Sequence, residues 1–265
     1  GAVSPRVLLL GGVDPSGGAG VTADAVVAAL HGAQPLPVPV CLTVQGVRGF
    51  RGAEPVPERT WRAAIDAVLA DGPVQAIKLG MLGDAATARS VAAVLAPLAA
   101  AAAIVVDPVL SATAGGFAPA QELAACYRER LLPLARLFTP NLPELGRICD
   151  GRAELALAEG AHAVLVKGGH GDGRWSEDQL FAAGAEFVFR RQRLDVGPVR
   201  GTGCALASAI AVRLAAGEDA PLACQRAGDW LAALLQRLGP PAADGLPRPL
   251  PWAAVLPAAI GAGGR

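Results

Sequence analysis

The sequence predicts an α/β fold: a central, mostly parallel sheet covered by helices on both faces. Three observations predict it. Short continuous apolar runs such as Val7-Leu8-Leu9-Leu10 and Ile104-Val105-Val106 are bounded by glycine or proline, as strands buried on both faces require. Longer stretches of helical length separate them, so strand and helix alternate along the chain. Polar residues then collect at the carboxyl ends of successive strands, where open α/β sheets place ligands. A chain of 265 residues, 52% hydrophobic and 17% charged, is read as one domain over 1–265, with 1–5 and about 240–265 peripheral.

The first strand is Arg6 to Gly12, and it leads into the glycine-rich loop Val13-Asp14-Pro15-Ser16-Gly17-Gly18-Ala19-Gly20. A helix follows from Val21 to about His31. This is neither a Walker A loop, for no Gly-Lys-Ser/Thr follows, nor a GxGxxG turn. Asp24, one turn into the helix, is read either as an acid that reaches a polar ligand over the loop or as a helix-start acid stabilised by the dipole. Pro35 to Pro39 forms a stiff connector, and Val38 to Val44 a second strand that brings Thr43 and Gln45 to its end. Trp61 to Leu69 is helical. Val74 to Gly80 is a strand followed by Met81, the only methionine, which serves either as core filler or at the strand-end site.

A helix from Asp84 to Leu98 precedes the strand Ala103 to Leu110, in which Asp107-Pro108 projects an acid at the sheet rim. Gln121 to Leu132 is helical, and Arg136 to Thr139 is a short strand. After it, Asn141 and Glu144 are spaced to face one magnesium ion or to cap a helix that begins with Pro143 in its first turn; the two roles are compatible. Ala161 to Lys167 is a further strand, and Asp172 to Arg193 has the look of antiparallel edge structure. The last long helix spans Ala220 to Leu238, and the tail is rich in Pro, Ala and Gly, as a surface or partly disordered segment would be.

The stretch Val199-Arg200-Gly201-Thr202-Gly203-Cys204 precedes the small-residue helix Ala205 to Arg213. Two glycines one residue apart allow a tight turn that aims several N–H groups at one point, and with the positive helix end these would hold an anion such as a transferring phosphoryl group. Cys204 in the first turn is then expected to be biased towards a thiolate. The plainer reading is a glycine-rich turn that starts a core helix, with Cys204 as buried filler.

Composition narrows the function classes. Lys+Arg and Asp+Glu both number 23, so no bulk attraction to nucleic acid is expected. Five scattered cysteines without CxxC spacing point to reduced thiols in a cytoplasmic protein. No signal peptide is visible, and the alanine-rich stretch Ala85 to Ala103 is interrupted by Arg89 and Pro97, so no membrane partner is expected.

Seven of these segments stand in the order found in hydroxymethylpyrimidine/phosphomethylpyrimidine kinases: Gly12 to Gly20 with Asp24, Thr43-Val44-Gln45, Lys78 to Gly83, Val106-Asp107-Pro108-Val109, Thr139 to Glu144, Val166 to His170, and Gly201 to Cys204. The chain resembles that family, a thiamine-biosynthetic branch of the ribokinase-like superfamily, over about residues 6 to 238. The resemblance implies a three-layer α/β/α sandwich. It implies MgATP-dependent phosphorylation of 4-amino-5-hydroxymethyl-2-methylpyrimidine, and then of its monophosphate, by a homodimer. Carried over by position, Gly12, Asp24, Gln45, Met81 and Val109 would meet the pyrimidine, and Asn141, Lys167 and Gly203 the ATP phosphates. Asp107 and Glu144 would manage Mg2+, and Gly201, Thr202, Gly203 and Cys204 would form the catalytic anion loop. Where other branches carry an aspartate base, this one has Cys204.

The chain departs from the family pattern at Arg200, often His; at Gly46, usually Asn; and at Leu110 to Gly116, which lacks a basic residue. Arg48, Arg51 and Arg200 are the candidates to supply positive charge for the second phosphorylation. Two other readings compete. One is a pyridoxal or pyridoxine kinase; the other is a pyrimidine-binding regulator without catalysis.

Overall fold

The computed structural model describes residues 4–110, 121–169 and 173–255. Its frame is one nine-stranded sheet of β1 (Arg6–Val13), β2 (Gln34–Gly46), β3 (Gly49–Pro55), β4 (Ala76–Leu79), β5 (Ala103–Val106), β6 (Leu137–Phe138), β7 (Ala163–Val166), β8 (Trp175–Ala182) and β9 (Ala185–Gln192). The spatial order is β3-β2-β1-β4-β5-β6-β7-β8-β9. From β2 through β7 the pairing is parallel, while β3, β8 and β9 join antiparallel at the two edges.

Side chains that alternate along the strands divide the core into two layers. Leu8, Leu10, Ile77, Leu79, Ile104 and Val106 face one side, against Trp61 and Ile65 of α2 (Glu58–Ala70) and Val91 and Leu95 of α3 (Ala85–Leu95). Val7, Leu9, Ala76 and Val105 face the other, against Val27 of α1 (Gly20–Leu30), Ala205 to Val212 of α7 (Thr202–Ala215) and Ala223 and Ala227 of α8 (Ala220–Leu235). The first layer also holds α4 (Gln121–Cys126), α5 (Leu142–Cys149) and α6 (Ala153–Ala158). This is the helix-covered, mostly parallel sheet that the alternation predicts and the α/β/α sandwich that the resemblance implies.

Several local expectations change. Pro35, Pro37 and Pro39 do not lie outside the strand but inside β2, paired in register with Val7, Leu9 and Gly11. They are tolerated because β3 pairs only with Cys41 to Gly46, so the far side of this part of β2 is an edge where prolines at alternate positions leave no ladder bond unmade. The expected helix ending at Leu98 closes at Leu95 in a 3₁₀ turn that accommodates Pro97. That over Gln121 to Leu132 passes from α4 into a π turn over Tyr127–Leu131. The strand β3 and the short helix α6 are additions. The tail as far as Val255 is docked: Arg200 N–H donates to the Arg248 carbonyl, Arg248 N–H donates to the Pro198 carbonyl, and Leu250 is buried. Arg248 holds this segment by donating to the carbonyls of Val196 and Leu238. The segment Ser111 to Gly116 and His170 lie outside the described residues.

Candidate active site

A cavity of about 750 Å³ opens along the carboxyl ends of the parallel strands. Each polar strand end supplies a wall. Gly12 comes from β1, Thr43 and Gln45 from β2, Met81 from the turn after β4, Asp107 and Val109 from the end of β5, and Lys167 from β7. Asn141 and Glu144 arrive from the start of α5, and Gly201, Thr202, Gly203 and Cys204 from the start of α7.

Asp24 is the exception, and the expectation that it reaches a ligand is corrected. Its side chain is 0% exposed, and both its oxygens are engaged within the protein. Lys78 Nζ donates to Oδ2 at 2.8 Å, and Ser208 Oγ donates to Oδ1 at 2.9 Å. The cause is helical phase: Val21, Val27 and Ala28, three or four residues away, are all buried, so this face of α1 turns to the sheet and not to the loop. Burial works against the charge on Lys78, yet Asp24, with Cys204 and Asp107 beyond it, holds its pKa above the ordinary lysine value. Gly80 makes room for this pair, for a Cβ there would stand 2.9 Å from Lys78 Nζ.

The loop before α7 is built on Gly201, whose φ of 76° is left-handed. A Cβ at that position would overlap the Gly18 carbonyl oxygen, so the loop packs directly on the glycine-rich segment after β1. Gly201 caps α7 without a side-chain hydrogen bond, which leaves the N–H groups of the first turn to the cavity.

Cys204 does not show the expected bias to a thiolate. Burial pushes its thiol up to about 11, outweighing the Lys78 ammonium and the Gly20 N–H that donates to it, both of which favour the anion. The group at the helix start is a neutral thiol at physiological pH.

On the opposite wall Lys167 Nζ donates to Asp107 Oδ1 at 2.7 Å and lies 4.0 Å from Glu144 Oε2. Backbone pairing sets this up, because Lys167 N–H donates to the Pro140 carbonyl and so brings β7 beside Asn141. Asn141 and Glu144 form a reciprocal capping box: Glu144 N–H donates to Asn141 Oδ1 and Asn141 N–H to Glu144 Oε2, each at 2.8 Å. Burial raises the Glu144 pKa and the nearby Asp107 adds to this, with Lys167 opposing. Beyond Lys167, Asp178 Oδ1 accepts the Gly168 N–H and its other oxygen pairs with Arg191 at 3.2 Å, while Arg193 donates to the carbonyls of Gly168, Gly169, Gly173 and Trp175.

Of the three arginines offered as free positive charge, Arg48 and Arg51 are exposed and lie outside the cavity lining. Arg200 lines the cavity but is only 3% exposed and pairs with Asp14 at 2.8 Å. Its charge is therefore already met inside the protein. Sequence reasoning did not anticipate the roles of Asp14, Lys78, Asp178 or Arg193.

With this geometry in hand, comparison with known proteins is specific. A family model described as phosphomethylpyrimidine kinase matches residues 14–243. A hydroxymethylpyrimidine/phosphomethylpyrimidine kinase of Streptomyces coelicolor is 38% identical over 237 residues, covering 86% of this chain and 87% of that protein. Among solved structures, a phosphomethylpyrimidine kinase from Clostridium difficile 630 superposes with a TM-score of 0.74 at 28% identity, covering 87% of this chain and 99% of the other. A pyridoxal kinase from Staphylococcus aureus, in complex with AMP-PCP and pyridoxal, shares the fold with a TM-score of 0.79 at 23% identity, covering 89% of each chain. The extent of the family match and the identity to curated relatives over most of the chain establish that this protein belongs to the phosphomethylpyrimidine kinase family.

Proposed function

We propose that this protein uses ATP to phosphorylate the hydroxymethyl group of 4-amino-5-hydroxymethyl-2-methylpyrimidine, and then the monophosphate to the diphosphate, in thiamine biosynthesis. The observation that carries this reading is one cavity whose lining brings together two chemically different sets of side chains and the Gly201–Cys204 loop. Gln45 with the apolar Met81 and Val109 suits a small polar ring, and Asn141 and Lys167 suit a polyphosphate. The S. aureus fold neighbour, solved with an ATP analogue, supports nucleotide use by this architecture.

Asp107 and Glu144 are the residues that would hold Mg2+. Two carboxylates with hard oxygen donors fit an ion that takes its remaining ligands from water and phosphate. Bound there, the ion would neutralise phosphate charge. Lys167 adds a fixed positive charge beside it, and the first-turn N–H groups of α7 receive the transferring phosphoryl oxygens. The substrate hydroxyl oxygen forms the new P–O bond as the bond to ADP breaks, and the hydroxyl proton passes to a phosphoryl oxygen or to water as the ester forms; in the second step the acceptor is an ionised phosphate oxygen that has no proton to lose. Transfer of this kind rests on alignment and charge neutralisation more than on a strong base, so a neutral Cys204 thiol orients the hydroxyl. The reading includes a cytoplasmic homodimer; five free thiols support a reducing compartment.

The test is the product distribution when the protein receives MgATP with the hydroxymethylpyrimidine, and pyridoxal in parallel. Diphosphate is the expected product. Monophosphate alone limits the activity to the first step, and turnover of pyridoxal only, or of neither, overturns the assignment.

A further inference from the structure

We propose that Arg200 is a positioning residue that locks the orientation of the Gln45 amide and thereby sets which ring edge the cavity accepts. The proposal rests on the pyrimidine-kinase reading and adds to it a determinant of specificity.

An unrestrained glutamine amide can turn over, exchanging its oxygen and nitrogen, and then presents the reverse pattern to a ligand. Here both ends are tied. Arg200 Nη2 donates to Gln45 Oε1 at 3.0 Å, so this atom must be the oxygen. Gln45 Nε2 donates to Thr43 Oγ1 at 2.9 Å, and that hydroxyl has its own proton committed to the Val13 carbonyl at 2.7 Å. The Thr43 oxygen can then only accept, and a flipped amide would set two acceptors face to face at one end and two donors at the other.

Arg200 is itself held against movement. Its Nη2 also donates to Asp14 Oδ2 at 2.8 Å, and Nη1 donates to the Gly46 carbonyl. Asp14 is 1% exposed, and its second oxygen accepts from the Ser16 N–H and hydroxyl. Arg200 N–H is bonded to Arg248, and the next residue begins the anion loop. One guanidinium therefore ties the loop after β1, the end of β2 and the loop before α7. A planar fork can meet three acceptors at once, whereas an ammonium cannot hold the same geometry.

Beyond these two bonds the locked amide keeps a second N–H and a second oxygen lone pair, and Gln45 lines the cavity. That pair matches an aminopyrimidine edge, in which a ring nitrogen accepts and the adjacent amino group donates. The pyridoxal ring carries no amino group beside its ring nitrogen, which is flanked by a methyl-bearing carbon and a C–H. Sites that hydrogen-bond a substrate in this way reject analogues lacking the groups far more strongly than apolar walls do, since their buried polar atoms would be left unpaired.

The experiment compares wild type with Arg200→Lys, Arg200→Met and Arg200→Met/Asp14→Asn. It measures calorimetric binding of the hydroxymethylpyrimidine without ATP, KM for each substrate, and the ratio of kcat/KM for pyrimidine over pyridoxal. Arg200→Lys keeps charge beside Asp14, and the double variant removes the buried carboxylate that Arg200→Met leaves unpaired, so folded protein is obtained for the comparison. Each substitution should weaken pyrimidine binding about tenfold and lower the pyrimidine preference by a similar factor, with KM for ATP unchanged within about twofold. Folded Arg200→Lys and double variants with native pyrimidine affinity and preference would overturn the lock alone. Wild-type protein that binds no pyrimidine would overturn both the lock and the functional reading.

Discussion

The Lys78 ammonium stands 2.8 Å from Asp24 Oδ2 with both side chains fully buried, and the other Asp24 oxygen accepts from Ser208 of α7. Such a pair is asymmetric towards mutation. Removing one partner leaves an uncompensated charge without water, at a cost of about 3–5 kcal/mol, while replacing both can be nearly neutral. Lys78→Met and Asp24→Leu are therefore each expected to lower stability strongly in urea unfolding, and Lys78→Met/Asp24→Leu to recover most of the loss. Additive losses in the double variant would show that the two groups act independently.

Cys204 yields a prediction about pH. Its thiol titrates at about 11, because burial outweighs Lys78 and the helix start. The other four cysteines are buried, whereas Cys204 is partly exposed where it lines the cavity. Alkylation by iodoacetamide should be slow at pH 7 and rise steeply above pH 9, with its midpoint near 11. The stability sign follows from linkage. The folded state keeps this proton above the ordinary thiol value of 9.0, so the contribution is fully present below that value and is lost as pH rises through about 11. An alkylation midpoint below pH 8 would refute the neutral thiol. Cys204→Ser should retain more turnover than Cys204→Ala if the group orients the substrate hydroxyl.

Lys167 bridges two carboxylates, at 2.7 Å from Asp107 and 4.0 Å from Glu144. Replacing it with methionine leaves two buried acids facing each other without a cation. Lys167→Met is expected to lower kcat on the order of 100-fold or more at saturating ATP, as loss of one preorganised transition-state charge does. Chelation with EDTA should abolish turnover of the wild type, and added Mg2+ should restore it. Full activity in EDTA would remove the ion from the reading.

How far the sequence discloses this arrangement depends on range. The strands β1, β4 and β5 are legible because each is a continuous apolar run. β3 is not, since Gly49, Gly52 and Glu54 give it no alternating pattern and it exists through its pairing with β2. The strand-end residues from Gly12 to Lys167 are legible because strand-end position is a local property. Asp24 is misread although a local signal was available: it stands among Val21, Val27 and Ala28 on one helix face, and Lys78 is a lone charge in the apolar run of β4. Arg200 and Asp14, 186 residues apart, carry no local mark of their pairing. The thiol state of Cys204 depends on burial, which helix-start position does not reveal.

Gly201 makes the most exacting prediction, because two independent constraints meet there. Its φ of 76° is a conformation that an L side chain rarely adopts, and a Cβ would overlap the Gly18 carbonyl oxygen. The first constraint alone costs roughly 1–2 kcal/mol for alanine. The second cannot be relieved by a rotamer change, since the obstacle is backbone, so the two glycine-rich segments must separate. Gly201→Ala should therefore lose stability by more than that conformational cost and lose turnover as well. The first-turn N–H groups of α7 would no longer converge where the phosphoryl group passes. Gly203→Ala is the informative control. Its Cβ would meet the Lys167 Nζ, the far end of a flexible side chain, at 3.2 Å. It should spare stability while raising KM for ATP. Equal effects of the two substitutions on thermal unfolding would contradict the packing of the Gly201 loop on Gly18.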